Sequence, residues 1–582
     1  MTVKRILFTD PADPLQCELI SRYRDARVVG ADETPDEIWC STRPGLWAIA
    51  RAGKPVINYL ATDGPSWEIR EVEAEFRIAK EKSGLSYRIF KPQNLIEAHG
   101  NFPYPKANKL YNVLAEIVSF KQEIEDKFEG YFARHPLRID GTISLPLLDL
   151  THAAETIFTI ATDDTTLNAA YDIAGSAGVT LADFLHPLSE SLGIKIEAQP
   201  DTSKFNPIDL LLQDRISLAQ CQFEASLPAN DLIIRAFFSA YSEQTRKESA
   251  RIERASQALQ RRTIEKENAE PLCYYVGGSG ERSMVIVNAY GQGLAYWTRL
   301  VADLVENFRV IIWLPRSSRH DTVGLVKSYP VRDHREDLKE LLTREQIRKA
   351  EFVGWCTGPK LILDYYDAYP DDVASMIFLN ATFKDWPGQP QSDTEYEKSL
   401  APLLKMVHQR PQLAAPLIDS LKNVLLARNG NSQNLDADNP TSHKEVMKLL
   451  GAPCSDLKEA VLEPLLSEAS VISYSEQLLD FWNHDVTRLF EKIRVPVLFI
   501  TGECDQIAHP QMAQAAAQMI PGAKRVEVRG GSHYLLYERS SLTSNLVHLF
   551  LDFALSLRPS AEGAEYKSQG KREARRPWLQ VT

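Results

Sequence analysis

The chain has no C-x-x-C pair among its seven cysteines, which stand at positions 17, 40, 221, 273, 356, 454 and 504. An odd number at scattered positions argues against a disulfide framework, and the missing pairs argue against a zinc site, so no metal is expected. Long apolar runs are absent too. No stretch approaches the ~18–20 apolar residues that span a bilayer. The start, Met1 through Phe8, lacks the apolar core of a signal peptide. These absences point to a cytoplasmic protein with no membrane contact. Positive charge is not in excess either. The formal net charge is -12, which gives a nucleic-acid role no support. What is present, 44% hydrophobic and 25% charged residues, is ordinary for a soluble globular protein. A length of 582 residues is too great for one core and suits two or three domains.

Three segments and a tail follow from the patterning. Residues 1–235 alternate strand-like and helix-like stretches. Residues 236–270 are dense in charge and read as an exposed helical linker. Residues 271–556 alternate again. The last segment, 557–582, carries Lys567, Lys571, Arg572, Arg575 and Arg576 among small and polar residues, a composition that suggests a disordered basic tail.

The chemistry concentrates in residues 271–556. Phe352-Val-Gly-Trp-Cys-Thr-Gly358 places G-x-C-x-G where a buried strand turns into a helix. That is the pattern of a nucleophile elbow, with cysteine in the serine position. Glycines are needed because the turn is tight, and the helix that follows aims its amides at the sulfur, favouring a thiolate and a developing oxyanion. Downstream, Val495-Pro-Val-Leu-Phe-Ile500 reads as a strand delivering Asp505, and Arg525-Val-Glu-Val528 leads to Gly530-Gly-Ser-His533. The order nucleophile, acid, histidine is the one this elbow accompanies. Cys356, Asp505 and His533 are the candidate triad, with His533 as base and Asp505 as its orienting partner. The amides of Thr357 and of Tyr290, after the strand Val285–Val287, are the candidate oxyanion hole. Trp355 and Gly291 are candidate pocket residues. Asp385 is the alternative acid, and His509 fits no role. About a hundred residues of helical pattern, 386–490, separate two consecutive strands and read as a helical cap over the site. A cap implies a bulky or hydrophobic substrate and a site that excludes water.

The elbow, acid and histidine together resemble those of α/β-hydrolase thioesterases and related acyl-processing enzymes, over about 285 residues. Elbows with cysteine are similar to those of chain-releasing cyclases, Dieckmann-type and lactone-forming thioesterases, and polyhydroxyalkanoate synthases. The resemblance implies an α/β-hydrolase fold with a helical cap. It also implies an acyl chain, delivered as a thioester by an acyl carrier protein or coenzyme A, that is released by cyclisation, condensation or transfer in polyketide or nonribosomal-peptide biosynthesis. A plain hydrolase with water as acceptor, or a non-catalytic scaffold, are the alternatives.

The front segment opens with Val3-Lys-Arg-Ile-Leu-Phe8, like the first strand of a Rossmann unit. Gly84-Leu-Ser-Tyr-Arg-Ile-Phe-Lys-Pro92, Leu147-Leu-Asp-Leu-Thr-His-Ala and Gly178-Val-Thr-Leu-Ala follow in order. These pieces resemble the extended short-chain dehydrogenase/reductases, in particular thioester reductases. The family's T-G-x-T-G-x-x-G loop is here Thr9-Asp-Pro-Ala-Asp-Pro-Leu-Gln16, with Asp10, Asp13 and Gln16 in the glycine positions. Two carboxylates there repel a pyrophosphate. The Tyr-x-x-x-Lys pair falls on Trp67 and Glu71. The expectation is an incomplete Rossmann-like pseudo-reductase domain that binds no cofactor, with homodimerisation left open.

Overall fold

The β-rich runs of the carboxy-terminal half pair into one eight-stranded sheet in the computed structural model. That structure describes residues 4–556 apart from 24–26, 30–34, 42–54, 63–65, 98–100, 106–107, 174–176, 218–229, 268, 317–328, 385–392, 427–446 and 449. The basic tail and Asp385 therefore lie outside the described residues. The chain divides into one unit up to Arg246 and a second from Lys247 onward, with residues 126–129 counted in the second.

In the second unit the strands are β1 (Gln260–Ile264), β2 (Leu272–Gly277), β3 (Arg282–Val287), β4 (Phe308–Trp313), β5 (Ala350–Trp355), β6 (Val373–Leu379), β7 (Val497–Gly502) and β8 (Lys524–Val528). Their order in the sheet is β1-β2-β4-β3-β5-β6-β7-β8. β1 and β2 run antiparallel to their neighbours, and β3 to β8 are parallel. Strands covered on both faces read as continuous apolar runs, and β5, β6 and β7 are buried at every residue. One apolar layer packs Leu338, Leu341, Leu361, Ile362 and Phe490 against one face. The other face packs Trp297, Leu300, Val547 and Leu551.

The charged stretch 236–270 is not only a linker. Its first part is the helix Asn230–Ala258, but Gln260–Ile264 form the sheet's outermost strand. Charge is what an edge strand carries to discourage further pairing. Arg262 turns that charge inward onto Glu345, with N–O distances of 2.6 and 2.8 Å, and Tyr274 donates to the same carboxylate at 2.6 Å. Between β6 and β7 the chain forms the helices Glu395–Gln409, Ala414–Leu425, Lys458–Val461 and Glu468–Asn483. Leu400, Leu404, Leu421 and Val471 from these helices join one apolar cluster with Tyr296, Trp297 and Trp355.

The first unit holds a six-stranded, all-parallel sheet in the order Arg27–Val28, Arg5–Phe8, Glu37–Cys40, Val56–Leu60, Tyr87–Pro92 and Ala169–Ile173. The strand order reverses at Arg5–Phe8, the doubly wound arrangement in which a ligand crevice forms beside the first strand. Here the amides of the following helix, Pro14–Ile20, are already engaged. Asp13 Oδ1 accepts from Leu15 N at 3.1 Å and Gln16 N at 2.9 Å, and Tyr104 Oη donates to it at 2.8 Å. Trp67 and Glu71 fall in the helix Ser66–Ser83, with their side chains outside the described residues.

Candidate active site

β5 ends at Trp355, and Cys356 takes φ +56° before the helix Gly358–Ala368 begins. A side chain in the left-handed region is strained, and such strain persists only where the surroundings impose it. The neighbours do impose it. Cys356 N donates to Leu379 O at 3.1 Å, and Thr382 N donates to Cys356 O at 2.9 Å. The flanking glycines are steric requirements. A Cβ on Gly358 would sit 2.3 Å from the carbonyl oxygen of Val287, and one on Gly354 would lie 2.8 Å from Pro359 N. Gly358→Ala forces a backbone shift between β3 and the elbow helix. The expected cost is about 1–3 kcal/mol, read as a lower denaturation midpoint of the carboxy-terminal unit.

Asp505 follows β7 and is buried. Its Oδ1 accepts from the amides of Ile507 and Ala508, both at 2.8 Å. Its Oδ2 meets His533 Nδ1 at 2.8 Å and accepts from Asn380 Nδ2 at 2.7 Å. The carboxylate is thus held on both oxygens, one of which faces the imidazole. Burial lowers the pKa of His533, but the charge of Asp505, the charge of Cys356 and hydrogen bonds to both outweigh it and push the imidazole up to about 10. The three candidate groups therefore share one place: the Asp505 carboxylate holds His533 Nδ1, and His533 lines the same cavity as Cys356, which stays half-buried. This arrangement can hold a thiolate–imidazolium pair and move a proton between sulfur and a leaving group.

The other expected residues fare unevenly. Thr357 stands at the N-terminus of the elbow helix, as anticipated. Tyr290 N, its expected partner in an oxyanion hole, donates to Thr357 Oγ1 at 3.2 Å. The two donors are adjacent, but the hydroxyl must give way before the Tyr290 amide can serve an oxyanion. The Tyr290 ring packs on Phe481 and His334, at 4.2 and 5.1 Å between centroids. Trp355 donates its indole N–H to His533 O at 3.1 Å, which fixes the histidine loop. Gly291 is not among the residues that line the cavity. It takes φ +69°, and a Cβ there would meet Pro464 and Tyr474 at 2.8 Å. It is glycine because these residues press on it, and the pocket wall is formed by Gln292 instead. His509 caps the helix Pro510–Met519, its Nδ1 accepting from Gln511 N at 3.2 Å.

A cavity of about 570 Å3, its mouth included, opens over Cys356 and His533. Its walls are aromatic and apolar, with Tyr296, Tyr396, Tyr474, Trp482 and Tyr534 prominent. Sequence reading missed Asn380, which locks Asp505, and Glu397, a carboxyl in the cavity wall. A trace of Asn380 was available: it is a polar residue ending an otherwise apolar strand, and it takes φ +45°. Glu397 carries the signature Thr394-x-x-Glu397 of a capping box, which announces a helix start and says nothing of a cavity.

Residues 282–540 match the family model of the alpha/beta hydrolase fold. The carboxy-terminal region has that fold. No curated protein matches the chain. Among solved structures, the chain is similar to the esterase RhEst1 from Rhodococcus sp. ECU1013 (17% identity, 51% of this chain and 99% of that chain, TM-score 0.39). It is also similar to a thermophilic esterase from Thermogutta terrifontis (19% identity, 51% and 99%, TM-score 0.38). A third is the enol-lactonase from Burkholderia xenovorans LB400 (20% identity, 50% and 100%, TM-score 0.38). Among the described residues, no helix is long and apolar enough to cross a membrane, and no cluster of His, Cys, Asp and Glu suits a metal ion.

Proposed function

We propose that residues 271–556 form an acyl-transfer enzyme that takes an acyl chain from a carrier-protein or coenzyme A thioester onto Cys356 and passes it to an acceptor other than water. The observation that carries this reading is Cys356 on a left-handed elbow with His533 and Asp505 behind it. The Cys356 thiolate attacks the thioester carbonyl. The Thr357 amide, at the helix N-terminus, stabilises the tetrahedral oxyanion. Collapse expels the carrier thiolate, which takes the proton held on His533 Nε2. The acyl-enzyme is itself a thioester, so loading is close to thermoneutral and the acyl group stays reactive toward amines, alcohols and carbanions. His533, now neutral, accepts the proton of the acceptor as it attacks and returns the imidazolium to the thiolate. The aromatic walls of the cavity favour an apolar chain and limit the water that competes for it.

The front unit, on this reading, is a pseudo-reductase that holds no dinucleotide. The support is Asp13, whose carboxylate occupies the helix amides that a pyrophosphate needs.

Intact-protein mass spectrometry after incubation with a panel of acyl-pantetheine thioesters tests the central claim. The expected result is a single acyl adduct on Cys356 that an added nucleophile discharges. Discharge by water alone, at a rate no acceptor changes, favours a thioesterase. Failure of every donor to label Cys356 refutes acyl transfer.

A further inference from the structure

The cavity over Cys356 carries one carboxyl that the triad does not use. Glu397 lies in the first turn of the helix Glu395–Gln409, lines the cavity and is 4% exposed. Its Oε2 accepts from Thr394 N at 3.0 Å and its Oε1 from Thr382 Oγ1 at 3.3 Å. Thr382 in turn donates its amide to Cys356 O. Two hydrogen bonds thus link Glu397 to the backbone of the residue that would hold the acyl group. The capping box accounts for a Glu or Gln at this position, but not for the choice of an ionisable one in an aromatic cavity. Burial pushes Glu397 up to about 7, and Asp393 adds to the rise; the Thr394 amide, the Lys384 ammonium and the Thr382 hydroxyl pull the other way. Lys384 is itself tied to Asp393 at 2.5 Å. The same cavity presents Gln292 Oε1 and Tyr296 Oη, both buried polar atoms with no partner. Carboxylate and amide oxygens accept hydrogen bonds, so what this wall lacks is a ligand rich in N–H or O–H donors. The rings of Tyr396 and Tyr474 line the same cavity, and aromatic rings attract a cation.

We propose that Glu397 receives a primary amine as the acceptor for the Cys356 acyl thioester, taking one proton from the incoming ammonium. The inference rests on the acyl-transfer reading above. Glu397 accepts the first proton, leaving a free amine with its lone pair available. The nitrogen attacks the thioester carbonyl, forming the C–N bond, while His533 takes the second proton. The C–S bond then breaks, so the products are an amide, the Cys356 thiolate, protonated His533 and protonated Glu397. Charge and hydrogens balance across the step, and solvent then recovers the Glu397 proton.

The test loads Cys356 with an acyl-pantetheine thioester and partitions the acyl-enzyme among n-butylamine, n-butanol and water, with products read by mass spectrometry. Wild type is expected to favour the butyl amide, with amide formation rising through about pH 7 as Glu397 ionises. Glu397→Gln keeps the capping box, because glutamine closes it as well, and removes the ionisable group. It is expected to lower the amide-to-acid ratio at least tenfold and to abolish the rise near pH 7. An unchanged ratio and pH profile overturns the proposal. So does an equal loss of amide, ester and acid, which marks Glu397 as a support for the helix alone. Thr382→Val, which removes a hydrogen bond to the carboxylate, gives a second measure: the rise moves to higher pH, and an unmoved rise counts against the proposal. If wild-type Cys356 is never loaded, acyl transfer itself fails and the amine acceptor falls with it, an outcome distinct from a loaded enzyme that ignores amines.

Discussion

Cys356→Ala is expected to lower turnover of any thioester by at least about 10^3-fold, with donor binding retained, because it removes the sulfur that carries the acyl group in the proposed reaction. Cys356→Ser is the more informative change. The elbow would keep its φ +56° conformation, and His533 and Asp505 would be untouched. The intermediate, however, would become an oxygen ester. Moving an acyl group from a thioester onto oxygen runs downhill, so the serine enzyme loads irreversibly and then waits. Onward transfer to a weak nucleophile loses its driving force, while water, always present, continues to attack. Slower overall turnover with product shifted toward free acid is therefore the expected result, read as the ratio of transferred to hydrolysed product by mass spectrometry. A serine variant that matches wild type in both rate and product ratio would show that sulfur contributes nothing specific, and the hydrolase reading would then stand.

The elbow was legible in the sequence because its constraints are local. A tight strand-to-helix turn needs small residues two positions either side of the nucleophile, and Gly354 and Gly358 announce it in five letters. Asp505 and His533 were legible for a related reason: each follows a strand-like run, Val497–Gly502 or Lys524–Val528, at the carboxyl end of the sheet where loops converge. What the sequence hid was set by long-range packing. Asn380 follows a different strand from Asp505, 125 positions away, and only the sheet order brings its amide to the carboxylate. Gly291 looked like a pocket residue because it follows the candidate oxyanion position. Its smallness instead answers Pro464 and Tyr474, from the helical insertion between β6 and β7. Gln260–Ile264 read as linker because charge dominates local propensity; its partner strand follows closely at Leu272–Gly277, but the buried Glu345 that takes Arg262 lies 83 positions away. The front unit shows the same division. Its strand runs were readable, whereas the order in which they pair, and Asp13 turning onto its own helix, were not.

Asp505→Asn is expected to cost about 10^3–10^4-fold in turnover, comparable to the loss when a triad aspartate is made neutral in other enzymes of this chemistry. The asparagine fits the space, and the amides of Ile507 and Ala508 can still bond its oxygen. What changes is the charge on His533. Burial alone would lower that imidazole, and the Asp505 carboxylate is the first of the influences that raise it to about 10. With Asp505 neutral, His533 loses its proton at a lower pH. The sign of the stability effect follows. A histidine whose folded pKa exceeds its unfolded value of about 6.5 adds stability that is complete below that value and disappears as pH rises through the folded pKa. The wild-type unit should therefore lose stability between about pH 6.5 and pH 10. The Asp505→Asn protein should be flatter across that window. Turnover at a fixed pH, beside denaturation midpoints at pH 6, 8 and 10, separates the loss of catalysis from the loss of pH-dependent stability. If the variant keeps the wild-type dependence of the midpoint on pH, the charge on His533 does not come from Asp505, and the acid of the site must be sought elsewhere.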